Sequence, residues 1–287
     1  MADVLISRRR FVVAAGFAGF ATVTSNTEAA GPAGSGGGAR YGNKSLVKMM
    51  ASLDGTAAPW WFAGYLYAIP PGQRPIPMVR CEGCEVYFPQ RLENGDYLLG
   101  GATLTFFRDV VSGEWLDEFH NPITGRHNAV KPNAMQGAPK AGFLYPADDS
   151  APHFFGPMGS SGQLAYKPPE RPGEPPLGEL RWERVGDTVF VTTSRGLDTP
   201  AQPWMEVSTS ITSAPALFDP ATPRVAASGA VSYASPWLRW MDMEGVPGHL
   251  MCHAATHKLA SLEELPTAYR EHAGKLGLLN ILKAPNG

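Results

Sequence analysis

Charge is scarce in this chain, and what there is nearly cancels. Asp, Glu, Lys and Arg make up 17% of 287 residues and leave a formal charge of −2. A nucleic-acid binder needs a basic surface to neutralise phosphates, so the composition argues against that class. Cysteine is scarcer still: Cys81, Cys84 and Cys252 are the whole supply. In an oxidising compartment an odd count leaves at least one thiol unpaired. The stretch "CEGC" (81–84) has the spacing of a thiol-redox or zinc motif. A redox pair wants its first cysteine at a helix N-terminus, where the dipole lowers the thiol pKa. Here the flanks "PMVR" and "EVYFPQR" read as strand. A zinc site needs two more ligands, and no second CxxC exists. The reading is therefore a strand turn with incidental or disulfide-bonded cysteines, ahead of redox or metal work.

Signatures of chemistry are also missing. There is no G-x-S-x-G elbow, no phosphate-binding glycine loop, no G-x-G-x-x-G and no H-E-x-x-H. These absences weaken hydrolase, nucleotidase, dehydrogenase and zinc-protease readings. "DVVSGE" (109–114) and "NPITGR" (121–126) share the form Asp/Asn, two residues, Ser/Thr, Gly. A calcium loop needs several oxygens at alternate positions. These read instead as tight turns, with the Asx side chain bonding nearby backbone and Gly taking positive φ.

What is present begins with an address. Residues 1–29 have a basic start, an apolar run from Phe11 to Val23 and a small-residue end, the layout of a signal peptide. The apolar run is too short to span ~30 Å of hydrocarbon as a helix. "SRRRF" places Arg8, Arg9 and Phe11 on the twin-arginine export consensus. The partner this implies is the twin-arginine machinery, and the destination is the periplasm or beyond. No transmembrane span is expected in the mature chain. Residues 30–44, rich in Gly, read as a flexible linker. Residues 45–287 read as one β-rich domain, because no break in composition separates two cores.

Gly (32) and Pro (27) favour turns and short strands over long helices. Strand-like runs follow one another: 60–70, 78–88, 96–107, 179–194, 204–212 and 225–234. Asn94-Gly95 and Gly186-Asp187 sit between runs as hairpin turns. Only 261–277 looks helical, with Ser261 and Glu264 at capping-box spacing, Pro266 early and Gly277 as terminator. Residues 131–178 keep no strand rhythm for long and read as a Pro/Gly-rich surface excursion. The expected fold is mainly β: a single antiparallel barrel or strongly curved sheet with a C-terminal helix.

Several stretches in order resemble one family: "MASLDGT" (50–56), "GYLYAIPPG" (64–72), "DVVSGEWL" and "FHNPITG" (109–125), "SPWLRWM" (235–241), "VPGHL" (246–250) and "LEELP" (262–266). Together they are similar to the bacterial and fungal proteins of the domain of unknown function 1838 family, whose members often carry twin-arginine signals. The resemblance runs from about residue 45 to 275. It implies a single β-rich domain and transfers no activity. Asp109, Asn121, Pro122, Thr124, Gly125, Trp237 and Arg239 fall on the family pattern. His257 stands where a small residue is expected, and Cys81 and Cys84 lie outside the pattern.

Aromatic content (seven Trp, nine Tyr, thirteen Phe) is enough to line a cavity for a small hydrophobic or aromatic ligand. Such a cavity becomes an active site when a His or carboxylate is buried in it with its pKa moved toward neutrality. The acid/base candidates are His253, His127 and Glu206. Substrate-binding candidates are Arg239 and Trp237, on one face if "WLRW" is extended, with Asp109 and Asn121. In "GHLMCHAATHKL" (248–259), three histidines lie four residues apart. As a strand, this places them ~13 Å apart, too far for two to share an ion. His249, Met251, His253 and His257 then face one way and Leu250, Cys252 and Ala254 the other. The first functional expectation is an exported acid/base enzyme of isomerase, cyclase or lyase type. The second is a non-catalytic small-molecule carrier, and the third is a metal-dependent enzyme. No cofactor is named by the sequence.

Overall fold

A computed structural model describes residues 41–137, 140–150, 152–155, 179–197 and 204–284. The export segment and all of 156–178 therefore lie outside the described residues. Strands run in chain order as β1 (Ala58–Ile69), β2 (Ile76–Arg91), β3 (Tyr97–Arg108), β4 (Glu118–His120), β5 (His127–Ala129), β6 (Asn133–Gln136), β7 (Gly142–Tyr145) and β8 (His153–Phe155). They continue as β9 (Glu179–Val185), β10 (Thr188–Leu197), β11 (Trp204–Ser213), β12 (Ala227–Ser235) and β13 (His249–Lys258). Helices are α1 (Asn43–Met50), α2 (Ala214–Phe218) and α3 (Thr267–Lys275).

One large sheet carries the fold, in the order β8-β7-β3-β2-β1-β13-β12-β11-β10-β9, with β6 also on β3. Neighbouring strands are antiparallel throughout this order. Both expected hairpins are present, with Gly95 at φ +90° and Gly186 at φ +58°, values that glycine adopts without steric cost. β4 and β5 form a separate small hairpin. The stretch expected to lack strands supplies three short ones, β6 to β8, within residues 133–155.

The expected barrel is not closed. Among the described residues β8 and β9 are the two edges and do not pair with each other. The sheet nonetheless rolls. Glu85 and Tyr87 of β2 line the same small void as Ser208 and Ser210 of β11. Three strands separate β2 from β11, which in a flat sheet at ~4.8 Å spacing would put them ~19 Å apart.

The concave face holds two apolar clusters. One gathers α1 residues Leu46, Val47 and Met50 with Trp60, Tyr87, Val189 and Val191. The other gathers Leu66, Val79, Phe107, Val231, Leu250 and Met241 at the opposite end. On the convex face α3 covers β2 and β3, with Tyr269 and Ala273 against Cys84, Val86, Leu104 and Phe106. The Tyr269 hydroxyl donates to the Leu104 carbonyl at 2.6 Å. The expected helix is divided at Pro266, which has no N–H and caps α3 instead of continuing from the 3-10 turn Leu262–Glu264. Glu264 reaches back to accept from the Ala260 N–H at 2.7 Å. Gly277, at φ +68°, ends the helix as expected.

Two buried lysines fasten the inner helices. Lys258 Nζ donates to the carbonyls of Lys48, Met49 and Ala51 at 3.1, 2.8 and 2.5 Å. These are the C-terminal carbonyls of α1, which lack intrahelical partners and carry the negative end of the helix dipole. Lys48 Nζ does the same for Leu217 and Asp219 at the end of α2. Burial pushes the Lys258 ammonium down to about 6. Three carbonyl acceptors oppose that push, because a neutral amine has only two protons to give. The geometry is that of a charged ammonium.

Candidate functional site

Alternation along β13 decides which side chains point inward. Leu250, Cys252 and Ala254 are buried, while Met251, His253, Ala255 and His257 are exposed. The two faces expected from sequence are present, and the histidine face is the convex one. His253 stands opposite Tyr65 and its Nδ1 lies 2.8 Å from the Ser232 hydroxyl, on the outside of the sheet.

The concave face between the two apolar clusters is unusually polar. Glu206, Ser208, Ser210 and Thr212 of β11 all point inward and are buried, as are Glu85, Thr103, Thr105 and Thr193. Thr193 and Ser208 share a hydroxyl–hydroxyl bond of 2.7 Å. Pairing places Glu206 opposite Tyr233, and Tyr233 opposite Cys252. Cys252 Sγ lies 4.0 Å from Cys81 Sγ on a diagonal over β1, where Cys81 pairs with the side-chain-free Gly64 and Cys252 with Leu66. Residues 81, 233, 206 and 252 thus form one continuous internal cluster.

The two thiols are inequivalent. The Cys81 thiol is held well above its usual range by its bond to Cys252 and by burial. Cys252 is lowered, first by the hydrogen bond with Cys81 and then by one from Tyr233, against the cost of burial. Either sulfur can donate in the 4.0 Å contact between them. Burial raises the Tyr233 hydroxyl. Two voids adjoin this belt. One of about 20 Å³ is lined by Cys81, Cys252, Thr105, Asn133, Tyr233 and Phe107, and the other, of about 30 Å³, lies by Glu85 and Ser208. Each has room for a water-sized guest. Thr105 Oγ1 is buried there without a partner among the described residues.

Of the alternatives left open for Cys81 and Cys84, a disulfide between them is absent. Three residues apart on a strand, their side chains take opposite faces: Cys81 is in the inner cluster and Cys84 beneath α3. The burial raises the Cys84 thiol.

Of the candidates named from sequence, Glu206 alone lies in this internal cluster. His127 is exposed on β5, its ring 4.8 Å from that of His120. Asp109 and Asn121 hold their turns as expected. Asp109 accepts from the Val111 and Ser112 N–H groups, and Asn121 from those of Ile123 and Thr124. Gly113 and Gly125 take φ +74° and +69°. Asn121 also donates to the Met241 carbonyl, and Arg126 pairs with Asp242. "WLRW" is not extended, because Arg239–Met241 forms a 3-10 turn. Trp237 donates to the Val246 carbonyl at 2.8 Å, Trp240 packs on Phe107 and Phe119, and Arg239 is exposed. Cys81, Cys252 and Tyr233 are the residues that sequence reasoning passed over. The signal for Cys252 was parity: it shares its face with Leu250 and Ala254, the apolar side that must turn inward.

A larger cleft lies on the convex side. About 680 Å³ is enclosed by Phe88, Leu98 and Gly100 of the sheet, by Ala260–Glu263 and by Leu282–Ala284, with Lys140 at its border. Among the described residues no group of three or more His, Cys, Asp or Glu is gathered for a metal ion, and no helix is long and apolar enough to cross a membrane.

Comparison with known proteins adds little chemistry. The family described as "Protein of unknown function (DUF1838)" matches residues 204–276, from β11 to α3, about a quarter of the chain. No curated protein matches. Among solved structures, the "Crystal Structure of Rv2717c from M. tuberculosis" is similar at 13% identity over 69% of this chain and 91% of that one, with a TM-score of 0.17.

Proposed function

We propose that this protein binds a small amphipathic molecule, an apolar body with an anionic head, in the convex cleft. The cleft volume carries the reading. At about 680 Å³ it falls within the range of sites that enclose small organic ligands. Its floor is the apolar side of β2 and β3, and Lys140 and Lys283 contribute two cationic groups against the one carboxylate of Glu263. The titratable groups that converge do so inside the sheet, around Glu206. The neighbouring void of about 20 Å³ has room for a water-sized guest and none for an organic substrate. Space and acid/base groups are therefore separated, which favours a carrier over an isomerase, cyclase or lyase. The twin-arginine pattern of Arg8, Arg9 and Phe11 supports a periplasmic setting for that carrier.

The test is a thermal-shift series with aliphatic and aromatic carboxylates against the matching alcohols. A carboxylate at a hundredfold its Kd raises Tm by about 5 °C, and the alcohol by less. Ala260→Trp, an exposed wall position, fills the cleft and abolishes the shift. An equal shift in that variant would place binding elsewhere.

A further inference from the structure

We propose that Cys81 and Cys252 form a buried two-coordinate site for a soft d10 cation, with Cu(I) as its natural occupant. Three observations meet there. The sulfurs approach to 4.0 Å on a diagonal over β1, between its residues Gly64 and Leu66. The void between and beside them, about 20 Å³, is lined by both thiols. Into it points Thr105, only 6% exposed and without a partner among the described residues.

The pair is poorly placed for the usual alternative. Cys81 and Cys252 lie two strands apart, roughly 9.5 Å between backbones at sheet spacing. A disulfide needs Cα atoms within about 7 Å, so oxidation demands that three strands draw together. A bridging ion demands little. At ~2.3 Å from each sulfur, an ion sees the 4.0 Å separation under an angle of about 120°. A small opening of the pair brings it toward linear.

The choice of ion follows from the ligand set. Zinc takes four ligands and calcium six or more, and no third His, Cys, Asp or Glu joins the two sulfurs among the described residues. Thiolates select soft ions, and Cu(I) is satisfied by two of them. Binding is Cu⁺ plus two thiols, giving a dithiolate–copper anion and two protons. The Tyr233 hydroxyl, already bonded to Cys252, and Thr105 are the neighbours that solvate the resulting charge. Glu206, beyond Tyr233, opposes it.

The probe is Cu(I) supplied anaerobically as its acetonitrile complex, in competition with a chromogenic chelator. It is offered both to the folded protein and during refolding, because the thiols are buried. The expected result is one copper per chain with a thiolate-to-copper charge-transfer band. Cys81→Ser and Cys252→Ser each weaken binding at least a hundredfold. Cys84→Ser, on the other face, and His253→Ala, on the surface, leave it unchanged, and Glu206→Gln tightens it. If a serine variant fails to fold, X-ray absorption on the unmodified protein decides: a two-sulfur shell supports the site, and a nitrogen or oxygen shell overturns it. No stoichiometric uptake by either route also overturns it, and leaves the void to water.

Discussion

Lys258 concentrates more structural consequence than any other charged residue in the described chain. Its ammonium is 4% exposed and closes the C-terminus of α1 through three carbonyls. Lys258→Met keeps the apolar stem and removes all three donors, so about 3 kcal/mol of stability is lost. Urea unfolding monitored by tryptophan fluorescence measures this. At the surface, Asp54 shows the smaller scale. The Ser52 hydroxyl, then the Thr56 N–H, hold its carboxyl down at about 2. A depressed carboxyl contributes stability above its unfolded pKa, and that contribution fades as pH falls through the folded one. The group is solvent-exposed, so the contribution is under about 1 kcal/mol. Accordingly the stability gap between the protein and Asp54→Asn is constant above pH 4 and closes between pH 4 and pH 2. The turns of Asp109 and Asn121 were legible because Asx chemistry acts within a few residues. The destination of Glu206 was legible only as a strand position, since its neighbour Tyr233 arrives from another strand.

Strands explain both what the alternation revealed and what it hid. The "GHLMCHAATHKL" pattern gave two faces correctly, and apolar parity marks Leu250, Cys252 and Ala254 as the buried one. What it could not give is Cys81 of β2, brought to Cys252 over β1 across 171 residues of chain. Two glycines keep the concave face closely packed. A Cβ on Gly64 would run into the His253 carbonyl, and one on Gly83 into the Phe62 ring. A ring can turn aside, whereas a ladder carbonyl cannot. Gly64→Ala therefore destabilises by about 3 kcal/mol and Gly83→Ala by about half as much, in paired denaturation curves. On the convex face, Trp115 lies between Arg108, whose guanidinium is 3.4 Å from its ring centroid, and the His272 ring, stacked at 4.4 Å. Burial, partly offset by Asp117 and reinforced by Arg108 and Lys275, lowers the His272 pKa. Tyr269→Phe removes the hydrogen bond to Leu104 beneath the same helix, and costs about 1 kcal/mol in the same assay.

At the scale of the molecule, hairpin turns and strand rhythm made a β-rich fold readable, because each turn fixes only its two neighbours. Closure was not readable, since it depends on how the far edges β8 and β9 meet. The cysteines give a whole-molecule prediction. Protein recovered from an oxidising compartment retains three titratable thiols once unfolded in denaturant, because Cys81 and Cys84 face opposite ways and Cys252 is two strands from Cys81. A count of one thiol would show that strands do draw together.

The pairing of β1 with β13 sets an order in time. Among the described residues the first strand, β1, sits mid-sheet beside the last, β13, and the lysine that caps α1 lies at the far end of β13. A growing chain that stops short of residue 249 has two half-sheets, each with an unpaired inner edge open to other chains. The halves can pair only when β13 emerges, so folding is governed by contacts at the greatest sequence separation, the slowest kind to form. A protein built this way needs its nascent edges sheltered until β13 has emerged.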